Sequence, residues 1–286
     1  MPIEFGPAML GFTAMALSAV AAHCAGIQSN DGVTVRYAIA NTESITAKEP
    51  VLVKAVLENS LSERVTFDFA HNREDYPGFE ATLVRPDGRI EQTTKLKKLE
   101  AASVRTISIE PLGSAQMDLL VTKWFDFDIP GDYVLEVRVT TPPTRANGVP
   151  VPCDGSGHLV IPVGQRDPVR LQQVCAALER RISEPSAGAS PLDNVWALTH
   201  VRDPVAIFYI DRLLWQDERL SPDLIAGLEG IGGGLAIEAL ISRLSNPDRY
   251  IRAMARQALI RTKERTPDPL IKGRIEQALG DQGREP

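Results

Sequence analysis

The chain has 286 residues, 43% of them hydrophobic and 24% charged, with a formal net charge of -6. Those proportions exclude a disordered chain, a collagen-like fibre and a multi-span membrane protein. The negative balance argues against a nucleic-acid binder that works through bulk charge. The charge is unevenly placed. Residues 23–164 carry 14 Lys and Arg against 19 Asp and Glu, whereas residues 165–286 carry 17 of each. Fifteen of the second set of bases are Arg, and this change of composition near residue 165 is the first sign of a domain boundary.

Residues 7–22 form an uncharged stretch rich in Ala and Met. It is shorter than the roughly 20 residues of a membrane span. It has the length of a signal-peptide core, with Ala19, Val20, Ala21 and Ala22 suiting a cleavage site. The preceding residues hold Glu4 and no Lys or Arg, so a retained N-terminal anchor, a lipidated Cys24 and a plain helix stand as alternatives. The expectation is a signal peptide over residues 1–22, an extracytoplasmic protein, and no membrane span once the signal is removed. Export permits a disulfide between Cys153 and Cys175. It would close a 23-residue loop, worth roughly 3 kcal/mol in the chain-entropy picture. Two unrelated thiols, with Cys175 buried on a helix, are the alternative.

From Gly32 the hydrophobic period is two. Val33, Val35 and Tyr37 alternate with polar or small residues, and Val65, Phe67 and Phe69 do the same. Further runs fall at residues 50–57, 79–84, 104–109, 116–121, 133–139 and 158–163, separated by Gly, Pro, Asn and Asp turns. Seven or eight short strands without a long helix between them predict an antiparallel β-sandwich. Residues 49–59, and the Pro130-Gly131-Asp132-Tyr133 turn leading into a late strand, resemble extracytoplasmic immunoglobulin-like sandwiches of bacteria. Many unrelated sandwiches share such stretches, proteinase-inhibitor-like modules among them, and the resemblance implies architecture alone.

After residue 165 the period becomes 3.6. Asp167 and Pro168 open a helix that runs to about Ile182, with Leu171, Val174, Cys175, Leu178 and Ile182 on one face. Residues 184–191 form a linker. The pattern at 203–214 then recurs at 234–244, and Gly227-Leu228 recurs as Ala258-Leu259. A two-helix unit repeating every 30 or 31 residues marks an α-solenoid. Residues 236–259, with Asp248 before the second helix and Arg252 one turn in, resemble HEAT-like repeats of the type found in phycobilisome-lyase-related proteins. The chain therefore reads as multidomain β + α: an immunoglobulin-like antiparallel β-sandwich over residues 29–164, a short HEAT-like α-solenoid over 165–282, and a tail over 283–286.

No residue set calls for bond chemistry. Gly230 to Gly234 lacks the strand before it and the further Gly of a dinucleotide loop, and reads as a turn between helices. Asp126, Asp128 and Asp132 lack the distal acidic ligand of a calcium loop. His71, Glu74 and Asp75 have no further His or Cys nearby to complete a zinc site. Ser156 is not in a nucleophile elbow, and His158 and His200 fall in different domains. Trp196 and Trp215 read as core. Arg249, Arg252 and Arg256 form a stripe at helical spacing: either a surface for an acidic partner or a solvated face in which Arg252 pairs with Asp248. The expected function is an exported, non-enzymatic scaffold that binds a protein through the helical-repeat surface, with no cofactor, metal or nucleic acid. The alternatives are an enzyme or proteinase-inhibitor-like protein acting through the sandwich, and a structural spacer.

Overall fold

The structure, a computed structural model, describes residues 32–40, 44–71, 78–93, 103–185 and 191–281. The expected signal peptide, Cys24, Glu74, Asp75 and the C-terminal tail lie outside the described residues.

The strands come first. In chain order they are β1 (Val33–Ile39), β2 (Ile45–Thr46), β3 (Leu52–Asn59), β4 (Val65–His71), β5 (Phe79–Val84), β6 (Ile90–Gln92), β7 (Ser103–Ile109), β8 (Ser114–Leu120), β9 (Gly131–Val139), β10 (Thr144–Arg145), β11 (Cys153–Asp154) and β12 (Ser156–Gly164). They form three sheets, ordered β11-β1-β3-β8, β10-β4-β7 and β2-β12-β9-β5-β6. Alternation decides which face is buried. Val53, Ala55 and Leu57 of β3 point inward, as do Phe79, Ala81 and Leu83 of β5. Each large apolar side chain so buried contributes about 1.5–3 kcal/mol. Phe67 of β4 meets Phe79 of β5 edge-on, ring centroids 5.7 Å apart, which ties different sheets into one sandwich-like body. The chain changes sheet early: β1 pairs with β3, then β2 joins the far sheet beside β12 in parallel register.

The run expected to be strand through residue 121 stops at Leu120. Val121–Lys123 form a 3-10 turn, in which Val121 N bonds to Val51 O while Trp124 N returns to Val121 O. Strands β2, β6, β10 and β11 span two or three residues each, too few to display a period.

The helices follow: α1 (Pro168–Ser183), α2 (Pro191–Thr199), α3 (Val205–Gln216), α4 (Ser221–Ile231), α5 (Gly233–Ser242), α6 (Arg249–Arg265) and α7 (Pro269–Asp281). Asp167 caps α1, its carboxylate accepting from Val169 N and Arg170 N ahead of the turn set by Pro168. Each odd-numbered helix packs on the next odd one, and α2, α4 and α6 do likewise, with neighbours in sequence also in contact. At Gly227 a Cβ would lie 2.8 Å from the Thr199 side chain, so only glycine allows α4 to come this close to α2.

Because an α-helix satisfies its own backbone, side chains must set one helix against the next. Arg212 of α3 pairs with Glu179 of α1, Arg243 with Asp211 of α3, and Arg274 of α7 with Glu238 of α5. In the other layer Arg261 and Arg265 of α6 both hold Glu229 of α4. These partners stand 32 to 36 residues apart, close to the repeat spacing of the sequence. Planar two-point contact with a carboxylate is what Arg provides and Lys does not, which explains the preference for Arg.

Few residues separate β12 from α1, and the junction is polar. Thr46 Oγ1 donates to Gln165 O and accepts from Asp167 N at 2.8 Å. Glu49, only 1% exposed, accepts from Arg170 Nε and Nη2, each at 3.3 Å. Asp203, at 0% exposure, accepts from Arg166 Nε at 2.6 Å and Nη2 at 3.0 Å, with Lys48 Nζ 3.7 Å away. The hydrogen bond from Arg166 holds the Asp203 carboxyl below the usual carboxylate range. Lys123 places its ammonium 3.8 Å from the centroid of the Trp196 ring, a cation–π contact between strands and helices.

Candidate functional site

Helix α3 turns Ala206, Ile210, Leu213 and Leu214 into the core. Phe208 and Trp215, two turns apart, remain 62% and 66% exposed. Trp196 is buried as expected, but Trp215 is not a core residue. Leu213 and Leu214 already occupy the inward positions, and the next residue emerges on the outer side. Its ring lies 4.2 Å from the guanidinium carbon of Arg243. Arg243 is 1% exposed, gives Nη2 to Asp211, and leaves Nε and Nη1 buried without hydrogen-bond partners. The ring quadrupole stands in for the missing acceptors. Arg212 stands 5.2 Å from the Phe208 ring. Val169 of α1, Leu235 of α5 and Leu270 of α7 are exposed as well, as are Leu192 of α2 and Tyr250 of α6.

The arginine stripe divides. Arg252 Nη1 donates to Asn246 O at 2.6 Å and Pro247 O at 2.8 Å. Its expected pairing with Asp248 is not made, because Asp248 caps α6 by accepting from Tyr250 N. Arg252 thus holds the turn before its own helix. Arg249 and Arg256 are exposed and make no side-chain hydrogen bond or ion pair among the described residues.

The disulfide is not formed: Cys153 and Cys175 are both free. Cys153 sits on β11 beside β1, while Cys175 is buried on α1 among helices. Burial, aided by Asp154, pushes the Cys153 thiol up to about 11, and burial with Asp203 and Glu179 pushes Cys175 up to about 12. Neither supplies a thiolate at neutral pH. Gly232 and Gly233 have φ of 66° and 73°, the left-handed turn expected between α4 and α5. His158 Nδ1 lies 3.6 Å from Glu136 on the sheet surface, and His200 Nδ1 is 2.7 Å from Trp196 O at the junction, so the two histidines and Ser156 form no triad. Among the described residues, no group of His, Cys, Asp and Glu could hold a metal ion. No helix there is long and apolar enough to cross a membrane.

Sequence reasoning missed a cavity of about 240 Å³ between strands and helices. Lys48, Thr122, Asp126 and Asp128 line it from the sandwich, and His200 and Arg202 from the helices. Asp128 accepts from Arg85 Nη2, and Asp126 offers its carbonyl to Arg85 Nη1 at 3.2 Å. The turn at Asp126 and Asp128 is therefore anchored at this junction. No short motif marks the cavity, because its residues come from distant parts of the chain.

No family model matches the chain, and no curated protein matches it. Among solved structures it is similar to the CARDB domain of a Pyrococcus furiosus protein, solved in complex with di-metal ions. That likeness has 10% identity and a TM-score of 0.25, covering 47% of this chain and 89% of the other. It is similar to the putative ApaA protein of Bordetella pertussis at 10% identity and a TM-score of 0.28, over 46% and 93% of the two chains. A Bacteroides uniformis β-glucuronidase aligns at 9% identity and a TM-score of 0.22, over 88% of this chain and 32% of the enzyme. At these scores none carries a function to this chain.

Proposed function

We propose that the protein is an exported, non-enzymatic interaction module. An immunoglobulin-like sandwich carries a short HEAT-like α-solenoid, and a protein partner docks on the outer face of the odd-numbered helices. The solenoid reading is supported by odd-on-odd and even-on-even helix packing, in which each unit touches its neighbours and leaves an extended face. The docking reading rests on one observation: Trp215 is 66% exposed, yet braced against a buried Arg243. A braced ring loses little freedom on binding, and Trp and Arg dominate the energetic centres of protein interfaces. The partner offers apolar side chains to Trp215 and Phe208. Arg249 and Arg256 on α6 lie in the other helix layer and supply a separate cationic surface.

Photo-crosslinking tests this directly. A photoreactive residue at Gln216, beside Trp215, should capture a partner that one at Asp132 on the strands does not. Phe208→Ser combined with Trp215→Ser should abolish that capture while the helical content read by circular dichroism is kept. Equal capture from both positions, or capture unchanged in the double variant, removes the proposed face.

A further inference from the structure

The cavity between the halves holds features that joining the halves does not require. Thr122 lines it, is 8% exposed, and has a hydroxyl buried without a hydrogen-bond partner. A buried hydroxyl in that condition destabilises a fold, so its retention asks for a reason. Lys48, also lining the cavity, has a φ of 72°. That left-handed conformation is costly for a residue with a Cβ, and such outliers cluster at functional sites. Lys48 is the third residue of a tight turn closed by Glu49 N on Thr46 O at 3.0 Å, and its own N–H donates to Phe127 O at 2.7 Å. It brings the ammonium 3.7 Å from Asp203, whose charge Arg166 already meets through two hydrogen bonds. Lys48 is thus the longer, second contact of a carboxylate that Arg166 holds directly, and its ammonium has no other ion-pair partner among the described residues. Arg202 adds a second cation from the helical side. Asp126 lines the same cavity, and its exposed side chain makes no hydrogen bond or ion pair among the described residues.

We infer that this cavity binds a free α-amino acid, with its carboxylate on Lys48 and Arg202, its ammonium on Asp126, and the Thr122 hydroxyl donating to the carboxylate. The charge pattern selects a zwitterion. A plain anion leaves Asp126 repelling it, and a plain cation meets Lys48 and Arg202. The size agrees: about 240 Å³ lies below the roughly 300–1,000 Å³ of drug-sized sites. The site is separate from the α3 face, so either can fail without the other.

Calorimetric titration of the full chain with each common α-amino acid, and with propionate, ethylamine and inorganic phosphate, tests the assignment. At least one amino acid should bind saturably, about tenfold more tightly than propionate or ethylamine. Asp126→Asn should bring that affinity down to the propionate level. Thr122→Val keeps the shape and removes the buried hydroxyl. It should raise the thermal midpoint while weakening binding about tenfold, a pairing that a purely structural role does not produce. Three results overturn the inference: no saturable amino-acid binding at millimolar concentration, phosphate or propionate binding as well as any amino acid, or Thr122→Val binding as tightly as the parent. The Phe208→Ser, Trp215→Ser variant should bind the amino acid unchanged.

Discussion

The two halves hold themselves together by different means. In the strand half the backbone fixes register, as in the antiparallel pairing of β9 with β12 from Gly131 with Val163 to Arg138 with Ser156. Its ion pairs Arg64 with Glu110 and Arg36 with Glu58 sit in solvent and add little to stability, and only around the buried Arg85, which holds Glu91 and Asp128, does a strand-half pair go inside among the described residues. In the helical half the backbone is silent between helices, and Arg–carboxylate pairs at the repeat spacing take over the register. Equal numbers of bases and acids there therefore do not describe a bland surface. Five of the Arg side chains, Arg212, Arg243, Arg261, Arg265 and Arg274, bridge one helix to another, and Phe208 and Trp215 stand exposed on α3.

The largest expected effect breaks the strand half at a buried polar plug. Asn59, buried at the end of β3, donates Nδ2 to Glu63 O, Ile109 O and Glu110 O and accepts from Leu61 N. Asn59→Ala strands those groups and should cost about 3 kcal/mol, read as a lower urea midpoint for the strand signal. A loss under about 1 kcal/mol, the net worth of one ordinary hydrogen bond, means that backbone pairing alone sets the stability of this half.

The junction is next, and it is pH-sensitive. Asp203 has a folded pKa held down chiefly by the hydrogen bond from Arg166, with Lys48 also near. A depressed carboxylate contributes stability that is fully present above its unfolded pKa, about 3.9, and is lost as pH falls through the lower folded value. Acid titration should therefore separate the two halves, seen as loss of energy transfer between Trp196 and a dye on the strands, before either unfolds. Asp203→Asn should cost about 1.5–3 kcal/mol of stability at neutral pH and flatten the acid response. If the variant keeps the wild-type acid profile, another carboxylate governs the junction.

Charge removal in each half sharpens the contrast further. Glu229 is 10% exposed and held by two arginines, whereas Glu110 is 61% exposed and held by one. Glu229→Gln should cost about 1–2 kcal/mol and Glu110→Gln less than about 0.5 kcal/mol, measured side by side by denaturant titration. Equal costs would erase the distinction between structural and solvated charge.

The order of strands then helices was legible because the hydrophobic period changes from two to 3.6, and Asp167-Pro168 announced the first helix. The short strands were not, since two residues such as Ile45 and Thr46 carry no period and belong to a sheet only through their partner, β12. Helical phase placed Leu171, Cys175, Leu178 and Ile182 correctly, yet hydropathy could not tell Trp215 from Trp196. What distinguishes them is Arg243, a residue 28 positions further on that stacks on the first ring from a neighbouring turn. The cavity at the junction was invisible for a related reason: Lys48, Thr122 and Arg202 come together only through packing, and no spacing records that.

The smallest effect is kinetic, and it reads the two halves through their own cysteines. Cys153 is half-buried with its thiol at about 11, and Cys175 is buried with its thiol at about 12. Thiolate is the reacting form, so both should alkylate far more slowly with iodoacetamide than a free thiol at neutral pH. They should differ in what limits them. Cys153 needs only a local shift at β11, which is two residues long. Cys175 needs α1 to open from α3, because its side chain lies in the core those helices share. Its labelling should follow the cooperative opening of the helical half and accelerate in Glu229→Gln, while Cys153 labelling stays constant. Peptide-resolved mass spectrometry over a time course distinguishes the sites. Parallel acceleration of both would mean that the halves open as one unit, and that the polar junction couples them more tightly than their separate modes of stabilisation imply.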